Sequence, residues 1–293
     1  RSSVIIHEVG HNYFPMIVNS DERQWTWMDE GLNTFMQFMA EQEWDRNYPS
    51  RRGPAHKLVP YMKSEKHLLE PIMTNSENII QFGPNAYAKP ATALNILREK
   101  VMGRDLFDFA FQEYSKRWMF KHPTPDDLFR TLEDASAVDL DWYWRGWFYG
   151  TDPVDLAITD VKWYKLDNRT PTEKKAAAKA AFDREESSVS KDANVTGVPT
   201  TVLEADPATR DFYNSYNPFS VTPEDEAAYK TFLAGLSDKE KSLLNSNTNF
   251  YEMTFSNVGG LVMPLIVEFH YADGSSDTEH IPAEIWRKNE SQV

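Results

Sequence analysis

The chain has 293 residues, 41% of them hydrophobic, enough for one large domain or two smaller ones with a packed core. Its formal charge is -14 and no run of lysines interleaved with aromatics stands out, so the composition argues against nucleic acid as a partner. Cysteine is absent, which excludes disulfides and thiolate metal sites, and no apolar run approaches the roughly 20 residues needed to span a bilayer.

The sequence opens at Arg1, not at a methionine, just ahead of a candidate metal ligand, so it is expected to be a fragment whose beginning, with any signal peptide, lies upstream. Residues 3–14 read as one helix that tolerates Gly10 and ends near Pro15. Within it stands His7-Glu8-Val9-Gly10-His11. Helical residues four apart share a face, so His7 and His11 can turn imidazole nitrogens toward one cation, with Glu8 beside them. Trp25 and Trp27 alternate as in a short extended segment, and a second helix is expected over 27–44. That helix carries Glu30, separated from His11 by 18 residues, as the third ligand. Catalytic zinc takes three such protein ligands and keeps a fourth position for water. The metal lowers the pKa of that water toward roughly 7, and Glu8 can take its proton as it attacks a carbonyl. One zinc per chain and metal-assisted hydrolysis are therefore expected. Val4, Ile5 and Ile6, and beyond Glu30 Phe35, Met36, Phe38 and Met39, are apolar, so both ligand helices are expected to be buried. Two histidines and two glutamates there without a partner would cost several kcal/mol, which favours a metal over a purely structural role.

Residues 47–60 carry Pro49, Arg51, Arg52, Gly53, Pro54 and Pro60, which is loop chemistry, and a second irregular stretch runs over 70–84. His56 and His67 have no spaced partner and read as surface histidines. Tyr87 is expected to open a helix through Lys100, with Pro90 tolerated in its first turn. Gly103 is a stop. Helices over 106–118 and after Thr124-Pro125 follow, then a last helix whose run Trp142-Tyr143-Trp144 and Trp147-Phe148-Tyr149 reads as core and groove wall. At Gly150-Thr151-Asp152-Pro153 the pattern changes to a strand over 158–164, and the domain boundary is placed there, giving domains 1–152 and 153–293. Residues 168–248 are charged, poor in core residues at first and then helical, with N-terminal caps at Thr222-Pro223-Glu224 and Ser237-Asp238-Lys239-Glu240; they read as a partly flexible insertion. From Asn249 the strand pattern returns through Tyr251, Met253 and Phe255, then Leu265, Val267, Phe269 and Tyr271, with Asp273-Gly274 as a hairpin signal. The expected fold is mainly α, followed by a small antiparallel β-sandwich-like domain of about four strands with a helical insertion.

These residues carry a resemblance. His7-Glu8-Val9-Gly10-His11, then 18 residues, then Glu30-Gly31-Leu32-Asn33-Thr34-Phe35 resembles the gluzincin aminopeptidases, the aminopeptidase N family. Phe82-Gly83-Pro84-Asn85-Ala86-Tyr87-Ala88-Lys89 resembles the family's Tyr-x-Lys helix start, and residues 103–150, with Phe107, Tyr114, Asp127-Leu128, Leu132-Glu133 and Trp147, resemble the helical half that follows. Gly259-Gly260-Leu261-Val262-Met263-Pro264 is family-like but weaker. The resemblance implies a thermolysin-like helical catalytic subdomain in which His7, His11 and Glu30 bind zinc, Glu8 is the base that returns a proton to the leaving amine, and the Tyr87 hydroxyl supports the oxyanion. It implies an aminopeptidase acting on a peptide or protein substrate, and leans toward a secreted or periplasmic location that the residues themselves leave open. Two departures stand out. Gln37 occupies the place of a usual glutamate seven residues past the metal-binding one, where its amide oxygen can still accept from a ligand histidine. The G-x-M-E-N strand that holds the substrate amine in family members lies upstream of the zinc helix and outside this sequence. A catalytically silent zinc-binding module, or an endopeptidase on the same scaffold, remains the alternative at this stage.

Overall fold

The computed structural model describes residues 2–244, 246 and 248–293. The chain forms two compact units, residues 1–160 with 253–293, and residues 161–252. The division falls inside the strands Leu156–Lys165 and Asn249–Asn257. None of the described helices is long and apolar enough to cross a membrane.

In the first unit α1 (Ser2–Gly10) and α2 (Thr26–Trp44) lie against each other. The helix expected over 3–14 stops at Gly10, and residues 11–18 continue as hydrogen-bonded turns, Met16 N donating to His11 O at 3.2 Å and Val18 N to Tyr13 O at 2.9 Å. The segment around Trp25 and Trp27 is not extended. Two alternating aromatics are too short a pattern to tell a strand from a helix start, and Trp27 sits in the first turn of α2, almost wholly buried.

The next helix, α3 (Lys89–Ile96), is continued at both ends by π-helical turns, Gly83–Ala88 and Leu97–Val101. Tyr87 therefore lies inside a wide turn begun at Pro84, not at the head of an α-helix. Pro90 explains the widening: it offers no amide hydrogen to the carbonyl four residues back and crowds it, so that α-type bonding fails where Tyr87 sits. Three more helices follow, α4 (Arg104–Trp118), α5 (Pro125–Ser136) and α6 (Asp141–Tyr149). The start of α5 is fixed by Asp127, whose carboxylate accepts from the Thr124 amide and hydroxyl, both at 2.9 Å. The aromatic run of α6 is core: Tyr143 and Phe148 are fully buried, and the Tyr143 hydroxyl donates to Ala93 O at 2.6 Å.

The fold is mainly α followed by a small antiparallel β region of two two-stranded sheets: β1 (Leu156–Lys165) pairs with β2 (Asn249–Asn257), and β3 (Leu265–His270) pairs with β4 (Ser276–Ile281). The β3–β4 hairpin is antiparallel, in register from Leu265 opposite Ile281 to His270 opposite Ser276, and turns through Asp273-Gly274 with Gly274 at φ 87°. Residues 161–252 hold α7 (Pro171–Glu185), α8 (Val189–Gly197), α9 (Pro223–Gly235) and α10 (Asp238–Leu244), and among their described residues none is buried.

Candidate metal centre

His7 and His11 face Glu30 across the contact between α1 and α2. Two glycines bring the elements this close. A Cβ on Gly10 would strike Asn33 Oδ1 on α2, and Asn33 Nδ2 donates to His7 O at 2.8 Å, tying the two helices together. A Cβ on Gly31 would lie 2.5 Å from Pro90 Cγ, so the absence of one lets the turn carrying Tyr87 rest directly against Glu30's own helix.

His7 Nε2 lies 3.1 Å from His11 Nε2 and 3.0 Å from Glu30 Oε2, and His11 Nε2 lies 3.4 Å from the same oxygen. Those three separations match the edge of a tetrahedron around zinc, about 3.3 Å for bonds near 2.0–2.1 Å. The protons say the same. His11 Nδ1 donates to Phe14 O at 2.9 Å, and a carbonyl can only accept. His7 Nδ1 lies 2.9 Å from Gln37 Oε1, and the Gln37 amide nitrogen donates to Glu41 Oε1 at 2.7 Å, so the histidine must be the donor there as well. Both rings therefore carry their proton on Nδ1, and two bare Nε2 lone pairs converge with a carboxylate oxygen. Such a set is repulsive unless a cation sits among it. Neutral imidazoles and a carboxylate are the donors zinc prefers, so these residues fit that metal.

Behind the ligands stands a buried relay. Glu41, 1% exposed, accepts from Gln37 and, through its second oxygen, from Ser50 Oγ at 2.5 Å. Gln37 thus keeps its oxygen turned to His7, as its amide chemistry allows. Asp29 Oδ1 lies 3.0 Å from His11 Nδ1. Burial, then the charges of Glu30 and Glu22, push the Asp29 carboxyl up to about 8, a rise that a cation on the neighbouring ligands would oppose. Burial would also raise Glu30, but its contacts with His7, Tyr87 and His11 outweigh it and hold that carboxyl below its ordinary value.

Tyr87 stacks on His7 with ring centroids 5.7 Å apart, and the Arg52 guanidinium lies over the Tyr87 ring, 4.1 Å from its centroid. Burial and then its hydrogen bond to Glu30 raise the phenol well above its ordinary value, with Arg52 pulling the other way, so at neutral pH it is a donor. Glu8 is exposed and lines the same cavity of about 840 Å³ as His7, His11, Glu30 and Tyr87.

One expectation fails. α1 buries only His7, while Val4, Ile5 and Val9 are 61%, 63% and 62% exposed. Ser3, His7, Gly10 and His11 form the face turned to α2, Val4 borders the cavity beside them, and Ile5 and Val9 lie on the other side of the helix. His56 and His67 are exposed. Lys89 plays no part at the ligands: it is 2% exposed, donates to Gly150 O at 2.9 Å, and lines a separate, more apolar cavity of about 990 Å³ with Leu58, Met62 and Trp147. Burial lowers its ammonium to about 8 against the pull of Asp152. The sequence reading gave no role to Asp29, Glu41 or Arg52, and Asn33 entered it only as part of the family motif.

The peptidase family M1 domain matches residues 1–147. Glutamyl aminopeptidase of Sus scrofa is 26% identical over 180 residues, 57% of this chain and 19% of that protein. Aminopeptidase N of Streptomyces lividans is 25% identical over 156 residues, 50% of this chain and 18% of that protein. Among solved structures, an M1 zinc metallopeptidase from Deinococcus radiodurans bound to a Tyr-Ser-Ala substrate is similar at 21% identity and a TM-score of 0.44, over 52% of this chain and 33% of that one. The chain spans about a fifth of the length of these curated relatives. The family domain covers half of the chain and contains all five residues gathered in the cavity, and the protein belongs to peptidase family M1.

Proposed function

We propose that the protein is a zinc-dependent peptidase that removes N-terminal residues from peptides. The observation that carries this is the meeting of two imidazole nitrogens and one carboxylate oxygen at 3.0–3.4 Å, beside a free carboxylate and a phenol donor. His7, His11 and Glu30 would hold the metal. Bound there, zinc supplies a Lewis acid that polarises a carbonyl and acidifies water.

The rest belongs to the chain. Glu8, exposed at the cavity wall and not tied into the ligand set, accepts the proton of the attacking water at its carboxylate and passes it to the leaving amine. Tyr87, kept protonated by its surroundings, offers its hydroxyl to the oxygen on which negative charge develops. The Gln37–Glu41–Ser50 relay keeps the His7 ring in the tautomer that leaves Nε2 bare. The aminopeptidase character follows the named relatives, and an endopeptidase on the same groups is the competing reading.

Two measurements on the intact protein test the proposal. Metal analysis should find one zinc per chain, lost in His7→Ala/His11→Ala; stoichiometric zinc surviving in that variant would sink the ligand assignment. Glu8→Gln should keep the zinc and lose about a hundredfold to ten-thousandfold in kcat on amino-acid anilides, the usual weight of a positioned general base. Near-normal turnover in that variant removes Glu8 from the mechanism.

A further inference from the structure

Arg52 is a charged group at this cavity whose role the reaction leaves unassigned. Its guanidinium is half-buried, and among the described residues no carboxylate or carbonyl is hydrogen-bonded to it, although it borders the cavity that holds His7, Glu8 and Tyr87. A half-buried cation with no hydrogen-bonded anion is costly, and guanidinium geometry suits a carboxylate held by two parallel hydrogen bonds. Burial lowers its pKa, Tyr87 and Glu30 work against that, and Arg51 adds a second positive charge beside it.

The loop that presents Arg52 is held on both sides. Ser50, buried, is bonded to Glu41. Gly53 has φ 100° and lies so close to Phe38 of α2 that a Cβ would strike the ring. At the near end, the Tyr48 hydroxyl is 2.6 Å from Ser2 Oγ and 2.9 Å from Ser3 Oγ on α1. The arginine therefore stands on a segment fastened to both ligand helices. Its position relative to the metal ligands is fixed in turn by two steps, 4.1 Å to the Tyr87 ring and 5.7 Å from there to the His7 ring. An extended peptide advances about 3.3–3.6 Å per residue, so these steps are spanned by about three residues.

We propose that Arg52, assisted by Arg51, binds a carboxylate of the peptide substrate within about three residues of the scissile bond, as reckoned from the extended-chain advance. The preferred substrates are then short peptides with a free C-terminal carboxylate, or peptides with an acidic side chain near the cleavage point. This rests on the peptidase reading and names its substrate class.

Binding can be measured without turnover. Zinc-loaded Glu8→Gln protein is titrated calorimetrically with trialanine, trialanine amide and alanyl-glutamyl-alanine amide. Trialanine should bind at least about tenfold more tightly than its amide, and adding Arg52→Gln should erase that difference while Arg52→Lys keeps part of it. If the glutamyl amide regains the lost affinity, the carboxylate recognised is that of a side chain; if it does not, it is the C-terminus. Equal binding of acid and amide overturns the proposal. So does a loss in Arg52→Gln that is the same for both peptides, which would mean that the guanidinium merely supports the Tyr87 ring. Carboxylate-dependent binding together with no cleavage of any of the three by the protein with Glu8 intact would leave this inference standing and bring down the hydrolase reading instead.

Discussion

Residues 1–160 with 253–293 and residues 161–252 are both rich in helix, yet different interactions hold them. In the first unit Trp27, Phe35, Phe107, Tyr114, Tyr143 and Phe148 are almost wholly buried in one core. In the second, no described residue is buried, and the helices begin at local hydrogen-bonded caps instead: Thr170 with Glu173, Thr201 with Glu204, Thr222 with Asp225. Lys179 and Asp183, four apart on α7, add an exposed ion pair worth a few tenths of a kcal/mol. A start signal is therefore enough to place a helix, but only apolar periodicity shows whether anything packs on it. The metal ligands belong wholly to the unit with the core, where their positions are fixed by neighbours on several elements.

The sharpest way to break this comparison is to remove one phenyl ring from each unit. Phe148→Ala leaves a cavity among Trp27, Phe129 and Trp144, whose rings it touches, and should cost about 3–5 kcal/mol of unfolding free energy. Phe182 is 48% exposed and meets Phe219 alone among aromatic rings, so Phe182→Ala should cost less than about 1 kcal/mol. Denaturant titrations of both variants decide it, and losses of similar size would show that 161–252 has a core of its own.

How much of this was legible beforehand follows the same division. The convergence of His7, His11 and Glu30 was readable because its parts are local: a four-residue helical spacing in His7 and His11, and an apolar helix around Glu30. The caps at Thr124 and Thr222 were readable for the same reason. Tyr87 came only through resemblance, since nothing local marks a tyrosine inside a π turn, and Pro90 read as an ordinary first-turn proline. The Arg52 loop looked like loop chemistry and no more, because what matters about it is where Ser50 and Gly53 fasten it, and both partners are on α2. Which strands pair within the small β region was not legible for a related reason. Alternation identifies a strand and its faces, but partners are chosen by tertiary contacts, and β1–β2 and β3–β4 turned out to be separate pairs.

A somewhat smaller effect is expected at Tyr87, where the packed unit meets the chemistry. If its hydroxyl stabilises the oxyanion, Tyr87→Phe should lower kcat and kcat/KM together by about a hundredfold to a thousandfold, leaving KM and zinc content nearly unchanged. If the hydroxyl serves only its hydrogen bond to Glu30, the loss should appear as roughly 1 kcal/mol of stability with turnover intact. Steady-state kinetics and a thermal melt on that one variant separate the two, and an unchanged kcat takes Tyr87 out of the reaction.

The smallest effect is also the cleanest comparison, because the same local motif occurs in both units. Thr124-Pro125-Asp126-Asp127 opens α5 and Thr222-Pro223-Glu224-Asp225 opens α9, each with the threonine at the cap, proline in the first turn and a carboxylate folded back onto the threonine amide, at 2.9 Å and 3.0 Å. Replacing either threonine by alanine removes the same cap, worth about 1 kcal/mol. In α5 that loss is transmitted to the core, since Leu128, Phe129 and Leu132 on the same helix are buried, so Thr124→Ala should lower the midpoint of the main unfolding transition. In α9 no residue is buried, so Thr222→Ala should leave that transition where it is and only speed amide hydrogen exchange within 223–235. Equal shifts of the main transition in the two variants would mean that the helices of 161–252 melt together with the core. In that case the absence of buried residues in that unit would not be what decides its stability.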